Sequence, residues 1–83
     1  MRPEKHSLTL CGHATSVSLE RPFWLAFQAI AREEGVAINA LAARIDEARG
    51  LESGLATAIR LYVLRWYQDR LAASDADGSP PRT

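Results

Sequence analysis

His6, Cys11 and His13 carry the strongest donor chemistry near the start of this chain. Imidazole and thiolate ligate zinc, copper or nickel. Their spacing, however, contains neither a Cys-x-x-Cys nor a His-x-x-x-His pair, and no fourth ligand accompanies them. Strand alternation puts Cys11 and His13 on one face only if Gly12 makes no bulge, so no metal is expected. Asp46, Glu47, Glu52 and Asp69 offer carboxylates, but on or between helical stretches, at positions that suit solvated faces and pairs such as Arg65 with Asp69. No phosphate-binding glycine loop occurs, nor a nucleophile with a base at recognisable spacing. Neither catalysis nor a cofactor is expected. Trp24, Phe27, Tyr62, Trp66 and Tyr67 fall at helical spacing, which suits a core or a subunit seam better than a ligand pocket.

The elements that must position these side chains follow from hydrophobic period. It switches once, from two to about 3.6. From His13 to Leu19, Thr15, Val17 and Leu19 share one face and Ala14, Ser16 and Ser18 the other, which is a strand with one buried side. Leu8 and Leu10 alternate earlier with Ser7 and Thr9, ahead of Cys11-Gly12. This stretch is either a second short strand or an extension of the first through a glycine bulge. Glu20-Arg21-Pro22 starts a helix, because proline is tolerated in a first turn whose N–H groups are unpaired anyway. That helix buries Phe23, Trp24, Phe27, Ile30 and Ala31 and stops at Gly35. A second, from about Ile38 to Arg49, buries Ile38, Leu41, Ala42 and Ile45 and stops at Gly50. A third starts near Ser53, a good N-cap, with Leu55, Ala58, Ile59, Tyr62, Val63 and Trp66 inward. Leu61, Leu64 and Leu71 widen its apolar face beyond what one small core covers, which suggests burial between subunits or against a protein partner.

Residues 1–5 read as a flexible arm, 6–73 as one domain, and 74–83, with Asp-Ala-Asp-Gly-Ser-Pro-Pro, as a disordered tail. A chain of 83 residues holds a modest core. Oligomerisation is one ordinary remedy. The single cysteine excludes an internal disulfide and suits a reduced, cytoplasmic protein, and no stretch has the length or apolarity of a signal peptide or a membrane span. Ten Lys plus Arg balance ten Asp plus Glu. Nucleic-acid binders are usually basic, so a positive face here must be local.

A lone strand leaves backbone groups unpaired on both edges, and leaving them so beneath helices is costly. The same strand of a second copy is a ready partner: paired antiparallel about a two-fold axis, it turns Thr15, Val17 and Leu19 of both copies toward the helices. The fold expected is therefore mainly α with a short N-terminal strand, as an intertwined homodimer whose interface comprises Thr15, Val17, Leu19, Trp24, Phe27, Leu41, Ile45, Ile59 and Trp66.

The stretch Thr15-Ser-Val-Ser-Leu19-Glu-Arg-Pro-Phe-Trp24, a helix ending at Gly35, and a second opening near Val36-Ala-Ile-Asn39 resemble ribbon-helix-helix repressors of the Arc, MetJ and CopG kind. The chain is most similar to short stand-alone bacterial members with Gly-His-x-Thr-Ser-Val-Ser-Leu-Glu, here Gly12 to Glu20, and a third apolar helix. The likeness spans roughly Lys5 to Tyr67. It implies a dimer, alone or in pairs, that acts in transcription regulation by inserting its intersubunit ribbon into the major groove of double-stranded DNA. Carried over by position, Ala14, Ser16 and Ser18 face the groove and the second helix start at Ala37, Ile38 and Asn39 faces a phosphate; a local basic rim supplied by Lys5, His13, Arg44 or other arginines would favour DNA. Ala14 stands where such proteins commonly have arginine or lysine, and Ala37 where serine or threonine is common. These departures, with the neutral charge, define the alternative: a dimerisation and protein-interaction module of the same fold.

Overall fold

A computed structural model describes residues 2–49 and 54–76. Two strands, β1 (Pro3–Leu10) and β2 (His13–Glu20), are followed by three helices, α1 (Arg21–Glu34), α2 (Ile38–Ala48) and α3 (Leu55–Ala76). The chain is mainly helical with a short N-terminal ribbon, as its patterning implies.

The strand is not alone. β1 and β2 pair antiparallel within one chain, from Leu10 opposite His13 to Pro3 opposite Glu20. The cause is local: Cys11 and Gly12 both have positive φ, 50° and 82°. That is the signature of the two-residue turn whose twist matches paired strands. Of the two readings of the early alternation, the second strand is therefore the one adopted. The ribbon expected between subunits is closed inside each chain, and Pro3 to Lys5 of the expected arm are paired strand.

α1 carries Pro22 in its first turn and ends at Gly35, whose φ of 70° takes the left-handed cap and directs its N–H to the carbonyls of Ala31 and Arg32. α2 begins at Ile38. The expected stop at Gly50 and the cap at Ser53 lie outside the described residues, as does the tail after Ala76. α3 continues through Ala76, past the expected boundary at Ser74.

The core joins Leu8, Leu10, Val17 and Leu19 of the ribbon to Phe27, Ile30 and Ala31 of α1, Leu41, Ala42 and Ile45 of α2, and Ile59 and Val63 of α3. The residues expected at the dimer seam are thus used differently. Val17, Leu19, Phe27, Leu41, Ile45 and Ile59 are buried in the chain's own core, and Trp24 and Trp66 pack half-buried against it. With the hairpin closed internally, the helices have their own two-stranded sheet to cover. Thr15 is exposed although it shares the inward face. The helical layer lies over β1 at this end, where α2 packs and Leu8 and Leu10 are buried, while Thr15 and His13 opposite them stay in solvent.

Candidate nucleic-acid interface

The register divides the ribbon into two chemistries. Inward stand Glu4, His6, Leu8 and Leu10 with Val17 and Leu19. Outward stand Lys5 opposite Ser18, Ser7 opposite Ser16, and Thr9 opposite Ala14, all six exposed. Ala14, Ser16 and Ser18 therefore lie where the patterning placed them. Ser7 and Thr9 complete the face from β1, and their alternation with Leu8 and Leu10 was the signal for them.

Both free edges of the ribbon are partly capped. Leu10 and His13, flanking a two-residue turn, form a hydrogen-bonded pair, so Thr9, Ala14, Lys5 and Ser18 turn their backbone groups outward along the edges. On the β1 edge the Thr9 N–H donates to Asn39 Oδ1 at 3.0 Å. On the β2 edge Arg60 Nη2 donates to the Ser18 carbonyl at 3.3 Å. Arg60 also binds both carboxylate oxygens of Glu20, at 2.9 and 3.1 Å, and lies over the Phe23 ring. Such devices obstruct edge-to-edge pairing with another strand.

Asn39 also ties the start of α2 to the ribbon near its turn. Ala37, the N-cap, is exposed and supplies no side-chain cap, and Ile38 packs half-buried against the core. The first N–H groups of a helix have no intrahelical partners, so this start offers donors and a positive dipole end to an anion. The Asn39 side chain, expected near a phosphate, commits its Oδ1 to the strand, so that only its Nδ2 is left to donate to an anion. Sequence reasoning missed this bond and the role of Arg60, because each joins residues 30 or more apart.

At the base of the ribbon Arg21 binds Glu4 at 2.8 and 3.3 Å. These hydrogen bonds hold the Glu4 carboxyl below its ordinary value and push the Arg21 guanidinium up. The Arg60 hydrogen bonds, with the backbone N–H of Glu20 itself, lower Glu20 similarly. Tyr62 is raised, first by burial and then by the charge of Glu34.

The other singled-out residues are dispersed. His6 stacks on Trp24 with ring centroids 4.0 Å apart, its Nε2 3.8 Å from Glu4, whereas His13 and exposed Cys11 lie at the turn end. Among the described residues no three His, Cys, Asp or Glu side chains group as metal ligands do. Asp46 pairs with Arg49, Glu47 and Asp69 are exposed, and Glu52 lies outside the described residues. On α3 an ion pair joins Arg70 to Glu33 of α1, at 3.0 Å, where Arg65 with Asp69 was expected. Arg70 also covers Trp66, which meets Tyr67 edge to face. No helix among the described residues is long and apolar enough to cross a membrane.

No curated protein and no solved structure matches the chain. The family model described as the ribbon-helix-helix domain matches residues 3–67, from the first residue of β1 through most of α3. With more than half of the sequence matched, and a ribbon followed by helices in its fold, the chain belongs to the ribbon-helix-helix domain family.

Proposed function

We propose that this protein is a DNA-binding transcriptional regulator, a repressor of the bacterial cytoplasm, whose own hairpin enters the major groove of double-stranded DNA. The observation that carries this reading is the outward ribbon face, Lys5, Ser7 and Thr9 beside Ala14, Ser16 and Ser18, exposed throughout and, apart from Lys5, built of small side chains. The major groove, about 12 Å wide, admits a two-stranded ribbon. Joining two hairpins edge to edge gives four strands at about 4.8 Å spacing, which is too broad once side chains are added. The edge caps at Thr9 and Ser18 favour the single hairpin as well. The start of α2 at Ala37, Ile38 and Asn39 presents its N–H groups to a phosphate beside the ribbon, and Lys5 supplies positive charge near the base of the hairpin, with the His13 ring at its turn end. The protein acts by binding alone, without cofactor, metal or membrane.

Its partner in a homodimer is best accommodated on the helices. Leu25 and Ala29 of α1, with Leu64, Tyr67 and Leu71 of α3, are exposed along stripes at helical spacing. The exposed Glu33–Arg70 pair borders the same groove, and about a two-fold axis each member meets its opposite.

Titration of labelled random-sequence duplex at rising salt tests the reading. Binding that weakens with salt is expected, with a log–log slope reduced by about one in Lys5→Ala. Absence of binding to any duplex at low salt rejects it in favour of the interaction module, which the zero net charge and the exposed leucines of α3 support.

A further inference from the structure

The seam between α2 and α3 opens into a cavity of about 210 Å³. Its walls are apolar: Ile45 and Ala48 of α2 face Ala58, Leu61 and the Tyr62 ring of α3. Ile45 is buried, Ala58 and Tyr62 are half-buried, and Ala48 and Leu61 are exposed, so the hollow closes on the core side and opens to solvent at its mouth. Two alanines on facing helices leave room that larger side chains would fill.

Two arginines, Arg49 and Arg65, line the same cavity. Arg49 is held by Asp46 at 2.6 Å, and beside Tyr62 the charges of Glu34 and Arg44 oppose one another. Arg65 is exposed and enters no ion pair among the described residues, and Asp69, one turn further along α3, does not line the cavity. The mouth therefore carries one unbalanced positive charge against an apolar wall. Size narrows what can answer that combination. An apolar cavity of about 150 Å³ accepts a benzene ring, whereas drug-sized ligands need about 300 Å³ or more. A single ring or short branched chain with one small anionic group fits, and a nucleotide does not.

We infer that this cavity binds a small organic monocarboxylate, its apolar body laid on Ala48, Ala58, Leu61 and Tyr62 and its carboxylate on the Arg65 guanidinium. The guanidinium fork matches a planar carboxylate, and the covered walls lose contact with water. The ligand touches both helices, so its binding stabilises the folded chain. The site stands apart from the ribbon and from the start of α2, and so holds whichever way the chain meets DNA.

The test uses the full chain with three probes: phenylacetate, the neutral phenylacetamide of the same shape, and acetate, which has the charge without the ring. Methyl NMR of Ile45 and Leu61 should shift saturably with phenylacetate. Phenylacetamide should bind about fivefold more weakly, the worth of one exposed ion pair, and Arg65→Gln should weaken phenylacetate by about the same factor. Acetate should leave both methyls unmoved. Ala48→Phe fills the cavity from an exposed position and should abolish the shift at Leu61 on adding phenylacetate, with circular dichroism reporting that the fold is retained. No saturable shift with phenylacetate at millimolar concentration overturns the site, and a response undiminished in Ala48→Phe overturns its placement. Equal affinity for phenylacetate and phenylacetamide, or phenylacetate binding undiminished in Arg65→Gln, overturns the carboxylate assignment. Acetate binding as tightly as phenylacetate overturns the role of the apolar walls.

Discussion

Asn39 Oδ1 accepts the backbone N–H of Thr9 at 3.0 Å, so that a side chain in the first turn of α2 closes a hydrogen bond on the open edge of β1. The bond fixes the ribbon's turn end to a helix. Asn39→Ala frees that amide and is expected to cost about 1 kcal/mol in urea unfolding, because the exposed N–H regains water. Amide exchange measured by NMR should accelerate at Thr9 and much less at Lys5, whose end of the ribbon is held through Glu4 and Glu20.

Stability should fall in acid because of the pairs at that other end. Glu4 and Glu20 are held below their ordinary value of 4.5, Glu4 by its hydrogen bonds to Arg21 and Glu20 by those to Arg60. A depressed carboxylate contributes stability above the unfolded value and loses it as pH falls through the folded one. Thermal unfolding followed from pH 7 downward should thus be level until about pH 5 and then decline. Glu20→Gln should lower the plateau and shallow the decline; an unchanged profile argues against the Arg60 clasp.

The turn offers a change in either direction. Cys11 is a non-glycine residue at φ 50°, a conformation that asparagine tolerates far better. Cys11→Asn is expected to raise stability by roughly 1 kcal/mol. Gly12→Ala should lower it by roughly 1–2 kcal/mol from backbone strain alone, since a Cβ there meets no atom within 4 Å. Calorimetric melting temperatures decide both.

Association can be separated from folding. Leu64 and Leu71 are 50% and 68% exposed, so Leu64→Glu with Leu71→Glu should leave the unfolding free energy of the monomer within about 0.5 kcal/mol. If copies meet through this face, sedimentation equilibrium will show the native chain as a dimer and the double variant as a monomer. A native chain that stays monomeric to millimolar concentration excludes this surface as the dimer contact.

Much of the fold was legible because it is written in short-range periods. The alternation from Ala14 to Leu19, Pro22 at a helix start, Gly35 at its end and the stripe Phe27, Ile30, Ala31 each express a local geometric rule and reappear in place. The pairing partner of β2 was not legible in the same way. Cys11-Gly12 fits a bulge or a turn until the backbone of Cys11 is known, and a cysteine gives little hint of a left-handed conformation. That one ambiguity moved the ribbon from between subunits to within the chain, and Val17, Leu19 and Ile59 from a seam to a core. At the proposed interface, Ala14, Ser16 and Ser18 followed from alternation, whereas Asn39 with Thr9 and Arg60 with Ser18 depend on long-range packing that no spacing encodes.

The turn at Cys11-Gly12 also bears on dilution. A ribbon shared by two chains disappears when the chains part, so its presence varies with protein concentration. One closed by two residues of the same chain forms in a unimolecular step over a short loop, on the microsecond scale of isolated hairpins. The ribbon of each chain therefore persists however dilute the protein, and any association between chains adds to it without creating it.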